Sequence, residues 1–230
     1  MNDLSTFRPL AVVFDLDGTL VDNMALHGRA FETFAEKHQL PPLTMDLRRR
    51  IDGKRNSEIF PMLFEREMDR DEILVLEQEK EGAYRQLSRG RLAPVRGALT
   101  LLARLQARGL GVAVATSAPL DNVLHTLAES GLDQRLSIVA RGDEVLRGKP
   151  FPDVFLLAAE RLGVPPEQCL AFEDAPLGVA AAIAAGMSCI ALTTTFAPEQ
   201  FAAHRPAPHE TYADYEAFLT GAGQWLQADV

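Results

Sequence analysis

The chain has 230 residues, 47% apolar and 24% charged, and its 23 Lys+Arg against 32 Asp+Glu give a net charge of −9. That composition belongs to a folded protein of one large domain, or a domain with a smaller companion, and not to a disordered segment. The acidic balance disfavours nucleic acid and anionic membrane as partners but leaves a small anionic substrate open, since a few local cations outweigh a distant field.

The expected elements follow in chain order. Leu10 to Phe14 is short, apolar and β-branched and stops at Asp15-Leu16-Asp17-Gly18, the pattern of a buried strand entering a turn. From about Met24 to Leu92 no strand is expected. Leu26, Ala30, Phe31 and Phe34 form one helical stripe; Ile59, Met62 and Leu63 a second; Ile73, Leu76, Ala83 and Leu87 a third. The charge run Glu77 to Glu81 reads as the solvated face of that last helix.

Beyond Leu92 helices and strands alternate. Strands are expected at Gly111 to Ala115, Leu136 to Ala140, Cys169 to Phe172 and Ser188 to Leu192. The helical patterns between them end at Gly109, Gly131 and Gly163, which suit left-handed C-terminal caps. Strands that are apolar throughout, alternating with helices, indicate an α/β protein with a parallel sheet covered on both faces. Ala175 to Pro198 carries no charge and is long enough to span a bilayer, but its alanines, Gly178 and Gly186 point to a buried helix, a turn and a strand.

Cys169 and Cys189 are too few for a disulfide framework or a zinc site and read as small core hydrophobes. Met1 to Leu10 lacks a basic stretch followed by an apolar one, so no signal peptide is expected. The expectation is a cytoplasmic protein, a monomer or a weak homodimer, with no membrane or nucleic-acid partner.

Two phosphate-loop look-alikes fail. Gly142 to Lys149 has five residues between its glycines where a Walker loop has four, and Pro150 replaces the metal-binding hydroxyl residue. Gly109-Leu-Gly111 follows a helix and precedes a strand, the wrong order for a dinucleotide fingerprint.

The informative residues stand at strand ends. Residues two apart on a strand point the same way, so Asp15 and Asp17 can converge at the C-terminal edge, where open α/β sheets bind ligands. Two close carboxylates repel each other; a cation between them, or a division into nucleophile and acid, resolves the conflict. The second strand ends at Thr116-Ser117, whose hydroxyls and amides suit a phosphoryl group. Lys149 precedes a helix, and another strand ends at Glu173-Asp174.

Together, Asp15-Leu-Asp17-Gly-Thr19-Leu-Val-Asp22, Thr116-Ser117, Lys149-Pro150 and Phe172-Glu173-Asp174, with Gly178 and Ala185-Gly186-Met187, resemble the haloacid dehalogenase-like superfamily, in particular its β-phosphoglucomutase-like phosphatases. The resemblance implies a Rossmann-like core over 1–23 and 93–230 with a helical cap domain inserted at 24–92. It also implies Asp15 as nucleophile and Asp17 as general acid/base, with Thr116 and Lys149 holding the phosphoryl group. Mg²⁺ is then the expected cofactor, bound by Asp15, the Asp17 carbonyl and Asp174, with Glu173 assisting.

On this reading Asp17 arrives protonated, a state that a closed, low-dielectric cap favours. Its presence sets aside relatives that act on halides or phosphonates, whose leaving groups need no such donor. The expected reaction is Mg²⁺-dependent hydrolysis of a small phosphorylated metabolite, a sugar phosphate foremost. The alternative is a β-phosphoglucomutase-type hexose-phosphate mutase. Such mutases resemble this chain in a cap-hinge histidine, here His27, and in a Lys-Gly-x-x-Arg loop. Here that loop reads Asp52-Gly53-Lys54-Arg55-Asn56, so Lys54 and Arg55 are the expected replacement cations, and Ser117, His27, Gly53, Lys54, Arg55 and Asn56 the expected substrate contacts.

Overall fold

The computed structural model describes residue 4 and residues 7–226. Six parallel strands form one sheet: β1 (Ala11–Phe14), β2 (Gly111–Thr116), β3 (Val139–Arg141), β4 (Cys169–Glu173), β5 (Ser188–Leu192) and β6 (Glu210–Tyr212), in the order β3-β2-β1-β4-β5-β6. β1 is central, with Phe14 beside Val114 on one flank and Phe172 on the other.

The strand pleat sorts side chains by size. Val12, Phe14, Val114, Leu170, Phe172, Ile190 and Leu192 face one side, where α5 (Ala98–Ala107), α6 (Leu120–Ser130) and α10 (Tyr215–Thr220) cover them. Phe14 stacks on Phe172 at 5.4 Å, and Tyr215 meets both rings edge-on. The opposite side is small: Ala11, Val13, Ala113, Ala115, Ala171 and Ala191, with both cysteines, lie under α7 (Asp153–Leu162), α8 (Pro176–Ala184) and α9 (Pro198–Ala203). This is the expected α/β architecture with helices on both faces. Cys169 and Cys189 are buried free thiols, and the Ala175–Pro198 stretch is α8, a turn at Gly186 and β5. No described helix is long and apolar enough to cross a membrane.

Three expectations need adjusting. Leu10 lies outside β1 and is exposed. The strand expected from Leu136 is shorter and later, because β3 pairs with β2 only from Val139 to Arg141 while Leu136 enters the core from the preceding turn. β6 was not expected; it is a three-residue polar edge strand with no apolar run to announce it.

Between β1 and α5 stand α1 (Met24–Lys37), α2 (Met45–Ile51), α3 (Asn56–Leu63) and α4 (Arg70–Ser88). They pack around Phe31, Phe34, Ile51, Ile59, Phe60 and Leu76, a cluster separate from the two on the sheet. Thr44 caps α2 and Asp69 caps α4 through bonds from the Leu47 and Glu72 amides. The segments entering and leaving these helices run side by side: the Asp22 amide donates to the Ala93 carbonyl and the Val95 amide to the Leu20 carbonyl.

Candidate active site

Because β1, β2 and β4 are adjacent and parallel, their C-terminal ends bring Asp15, Thr116, Glu173 and Asp174 to one edge. The Asp15 amide is fixed by the Phe172 carbonyl at 3.0 Å. Gly18 turns the chain with φ +81°, and a Cβ there would overlap the Asp174 carboxylate. Gly178 is also a matter of space: a side chain on this turn of α8 would collide with Glu173.

Lys149 reaches in from the loop after β3. Its Nζ lies 2.5 Å from Asp15 Oδ1 and 2.7 Å from Glu173 Oε1, and it is 1% exposed. The other Glu173 oxygen accepts from the Asp174 and Ala175 amides at 2.9 Å each. Thr19 and Thr195 donate to the two oxygens of Asp174. Oxygens of Asp15, Glu173 and Asp174 lie within 4.8 Å of one another.

Three carboxylates against one ammonium leave this buried site two negative charges in excess. Burial, only partly offset by Lys149, pushes Asp15 up to about 8, with Glu173 and Asp17 adding to the rise. Burial, then Glu173 and Asp15, raise Asp174 well above the carboxylate range. Burial works against the Lys149 ammonium, but Asp15 and Glu173 outweigh it and hold the group protonated. A hard divalent cation with oxygen ligands fits this donor set and its charge.

Asp17 behaves differently from expectation. Burial favours its neutral form, but His27, Asn23 and Lys80 together outweigh that and lower its pKa, so the structure holds it as a carboxylate. Asn23 Nδ2 donates to Asp17 Oδ1 at 2.5 Å and to the Tyr84 hydroxyl at 2.6 Å. His27 is not a surface residue: it is buried, stacks on Tyr84 at 3.7 Å, and sets Nε2 3.5 Å from Asp17 Oδ1. Lys80 Nζ lies 3.2 Å from His27 Nδ1.

The charge run on α4 is a solvated face only in part: Gln78 is exposed and Glu77 and Glu79 are half-buried, but the last two residues turn inward. Lys80 and Glu81 are 3% and 4% exposed, bonded to each other at 2.9 Å, and both line the cavity above Asp15. Glu81 also accepts from Asn56 at 2.8 Å and Asn122 at 2.6 Å, while Lys80 sits over the Phe31 ring.

Of the expected substrate contacts, His27, Gly53, Lys54, Asn56 and Ser117 line this cavity with Thr116. Two are already committed: Asn56 Nδ2 donates to Glu77 and Glu81, and Ser117 Oγ donates to the Gly53 carbonyl. Arg55 is not brought into the cavity; its guanidinium points to carbonyls of Gly142, Val145 and Leu146. Arg48, not singled out in the sequence, lines the cavity and holds Asp52 Oδ2 at 2.8 and 2.9 Å. Burial still lifts Asp52 above its ordinary pKa against that pull. Lys54 and Arg55 are thus not the only compensation for Asp52.

Thr195 is the contact most accessible to sequence reading, since it follows a strand end as the other motif residues do. Asn23, Arg48 and Tyr84 carry no comparable signal.

The family model described as haloacid dehalogenase-like hydrolase matches residues 9–186. The chain is 35% identical over 184 residues to the "Phosphorylated carbohydrates phosphatase" of Thermotoga maritima, covering 78% of this chain and 83% of that protein. It is 34% identical over 193 residues to "Hexitol phosphatase A" of Escherichia coli, covering 78% and 81%. Among solved structures, CbbY from Rhodobacter sphaeroides in complex with phosphate superimposes with a TM-score of 0.77 at 26% identity, over 92% of this chain and 96% of that one. A family match across most of the chain, with relatives of this identity and length, shows that it belongs to the haloacid dehalogenase-like hydrolases.

Proposed function

We propose that the chain is a phosphatase acting on a small phosphorylated carbohydrate through an aspartyl-phosphate on Asp15. The observation that carries this is Asp15 itself: a buried carboxylate at the C-terminal end of the central strand, held by Lys149 at 2.5 Å and backed by Glu173 and Asp174, with Asp17 lining the same cavity. The curated relatives named as phosphatases of phosphorylated carbohydrates and hexitols support the substrate class.

An Asp15 oxygen attacks phosphorus, the bond from phosphorus to the ester oxygen breaks, and the departing oxygen takes a proton from Asp17. Water then attacks the aspartyl-phosphate, Asp17 takes a proton from it, and inorganic phosphate leaves. Asp17 as found, ionised, is ready for the second step. For the first it must gain a proton, which an incoming phosphate dianion promotes by adding negative charge beside it. Lys149 and Thr116 hold the equatorial oxygens, and Glu173 orients Lys149. Asp15, Asp174 and the Asp17 carbonyl would hold Mg²⁺, which would neutralise the like charge between nucleophile and substrate. Residues 24–92 serve as the cap that closes the cavity.

The mutase alternative finds little support in the cap. Asp52 and Asn56 replace the expected cations, and Arg55 is turned onto the core. The test is phosphate release from a panel of hexose, pentose and hexitol monophosphates with Mg²⁺, alongside Asp15→Asn. Release from the wild type and none from the folded variant is expected; equal release from both would overturn the covalent route.

A further inference from the structure

Gly142 and Gly148, the glycines of the failed phosphate-loop look-alike, bracket the core loop between β3 and Lys149. Neither adopts a positive φ, so backbone conformation does not call for glycine at either place. Space does. A Cβ on Gly142 would stand 3.0 Å from Arg55 Cγ and Cδ; one on Gly148 would stand 2.5 Å from Glu58 Oε2 and 2.8 Å from Arg55 Nε.

The slot between the two glycines is filled by an ion pair from the helical insert. Arg55 Nη2 and Glu58 Oε1 are 3.1 Å apart at the start of α3, and Glu58 also accepts from the Arg55 amide at 3.2 Å. From this clasp the guanidinium donates to three core carbonyls: Nη1 to Gly142 at 3.0 Å and Val145 at 3.2 Å, Nη2 to Leu146 at 3.4 Å. Beside it Ser117 Oγ, on the core, donates to Gly53 in the insert at 2.6 Å. A planar fork sets two separate nitrogens against acceptors spread over the Gly142–Leu146 backbone and Glu58, a span that the single nitrogen of an ammonium does not reproduce. Both terminal nitrogens of Arg55 are therefore committed to core backbone and an internal carboxylate, its Nε is buried without a partner, and the side chain does not line the cavity, so it is not placed to grip a substrate anion.

We infer that Arg55 and Glu58 are positioning residues, a key that seats the 52–56 loop of the insert on the Gly142–Gly148 loop of the core. Lys149 directly follows that loop, so seating the insert and fixing the residue that grips Asp15 are coupled through one short segment. The inference rests on the phosphatase reading only for its kinetic consequence.

The test has two arms. Spin labels on cysteines introduced at the exposed Glu67 and Gln134 report the insert-to-core distance without substrate. The wild type is expected to show one narrow population, and Arg55→Met, Arg55→Lys and Gly148→Ala a longer, broader one, with circular dichroism unchanged. In the kinetic arm KM for a cleaved monophosphate is expected to rise about tenfold in each variant, with kcat changed less. Combining Arg55→Met with Gly148→Ala should add little, because both break the same contact. Arg55→Lys at wild-type distance and KM, unchanged distances in all variants, or fully additive effects would each overturn the inference. If no substrate is hydrolysed, the phosphatase reading fails while the distance arm still decides this one.

Discussion

Lys149 and Asp15, 134 residues apart in sequence, meet at 2.5 Å with the lysine wholly buried and Glu173 on its other side. A buried ammonium persists only because those carboxylates surround it, and the carboxylates tolerate one another only because it is there.

Lys149→Met is accordingly expected to do two things. It removes the buried cation that Asp15 and Glu173 share, so metal-free stability should drop by about 3–5 kcal/mol in urea titrations, and Mg²⁺ should restore more stability to the variant than to the wild type. Phosphate release should fall about 10²–10³-fold, the usual cost of removing one electrostatic contact to developing charge. A variant as stable as the wild type without metal would contradict the charge balance read from the site.

Cation binding should be coupled to proton release. With Asp15 pushed up to about 8 and Asp174 also raised, the metal-free site holds protons near neutral pH that a divalent ion must displace. Mg²⁺ affinity is expected to weaken as pH falls from 8 to 6, and titration calorimetry in buffers of different ionisation enthalpy should show protons leaving. Asp174→Ala should weaken binding, and EDTA should stop phosphate release reversibly. Ca²⁺ should bind but inhibit, since its longer, looser coordination displaces the nucleophile. Identical heats in all buffers would mean the carboxylates are already ionised.

A prediction about stability alone concerns Asp214, which caps α10 through the Ala217 amide at 2.9 Å and pairs with Arg96. Burial opposes its charge, but those partners outweigh it and lower its pKa. A depressed carboxylate contributes stability above its unfolded value, near 3.9, and loses it as pH falls through the folded value. Asp214→Ala should cost about 1 kcal/mol at pH 7. The difference from the wild type should shrink below about pH 4; a gap unchanged at pH 3 would remove the ion pair from the account.

What the sequence disclosed and what it hid have physical causes. β1, β2, β4 and β5 are apolar on both faces, and polar residues at the ends of such strands have one edge to occupy, so Asp15, Thr116, Glu173 and Asp174 were legible before any coordinates. β6 was not, because a three-residue edge strand buries too little to leave an apolar run. Lys80 and Glu81 were misread for a deeper reason: periodicity finds the apolar stripe of α4 but does not distinguish water from a polar cavity on the other side. Arg48 stands one helical turn before Asp52, a spacing common to surface pairs, and nothing in that spacing points to a cavity. Arg55 looked like a substrate cation because a basic residue in a cap loop has the same letters whether it faces the cavity or the core.

The cap also decides between hydrolase and mutase. A mutase must hold its aspartyl-phosphate away from water while a bisphosphate turns over and re-docks, which requires cations in the cap that grip a distal phosphate. In this cavity Arg48 is paired with Asp52, Lys80 with Glu81, and Asn56 spends its amide on Glu77 and Glu81. Lys54 lines the same wall without a carboxylate partner among the described residues. One such lysine beside the Asp52 carboxylate is a poor cradle for a dianion, whereas paired charges and amides suit the hydroxyls of a neutral polyol. Incubation with β-glucose 1-phosphate, Mg²⁺ and a bisphosphate primer is therefore expected to yield inorganic phosphate, with no appreciable glucose 6-phosphate. Asp52→Ala, which frees Arg48, should lower KM for a bisphosphate relative to a monophosphate by about tenfold, and Lys54→Ala should raise it. Rapid isomerisation with little phosphate release by the wild type would mean that the Arg48–Asp52 pair opens on substrate binding and that the cap grips a second phosphate after all.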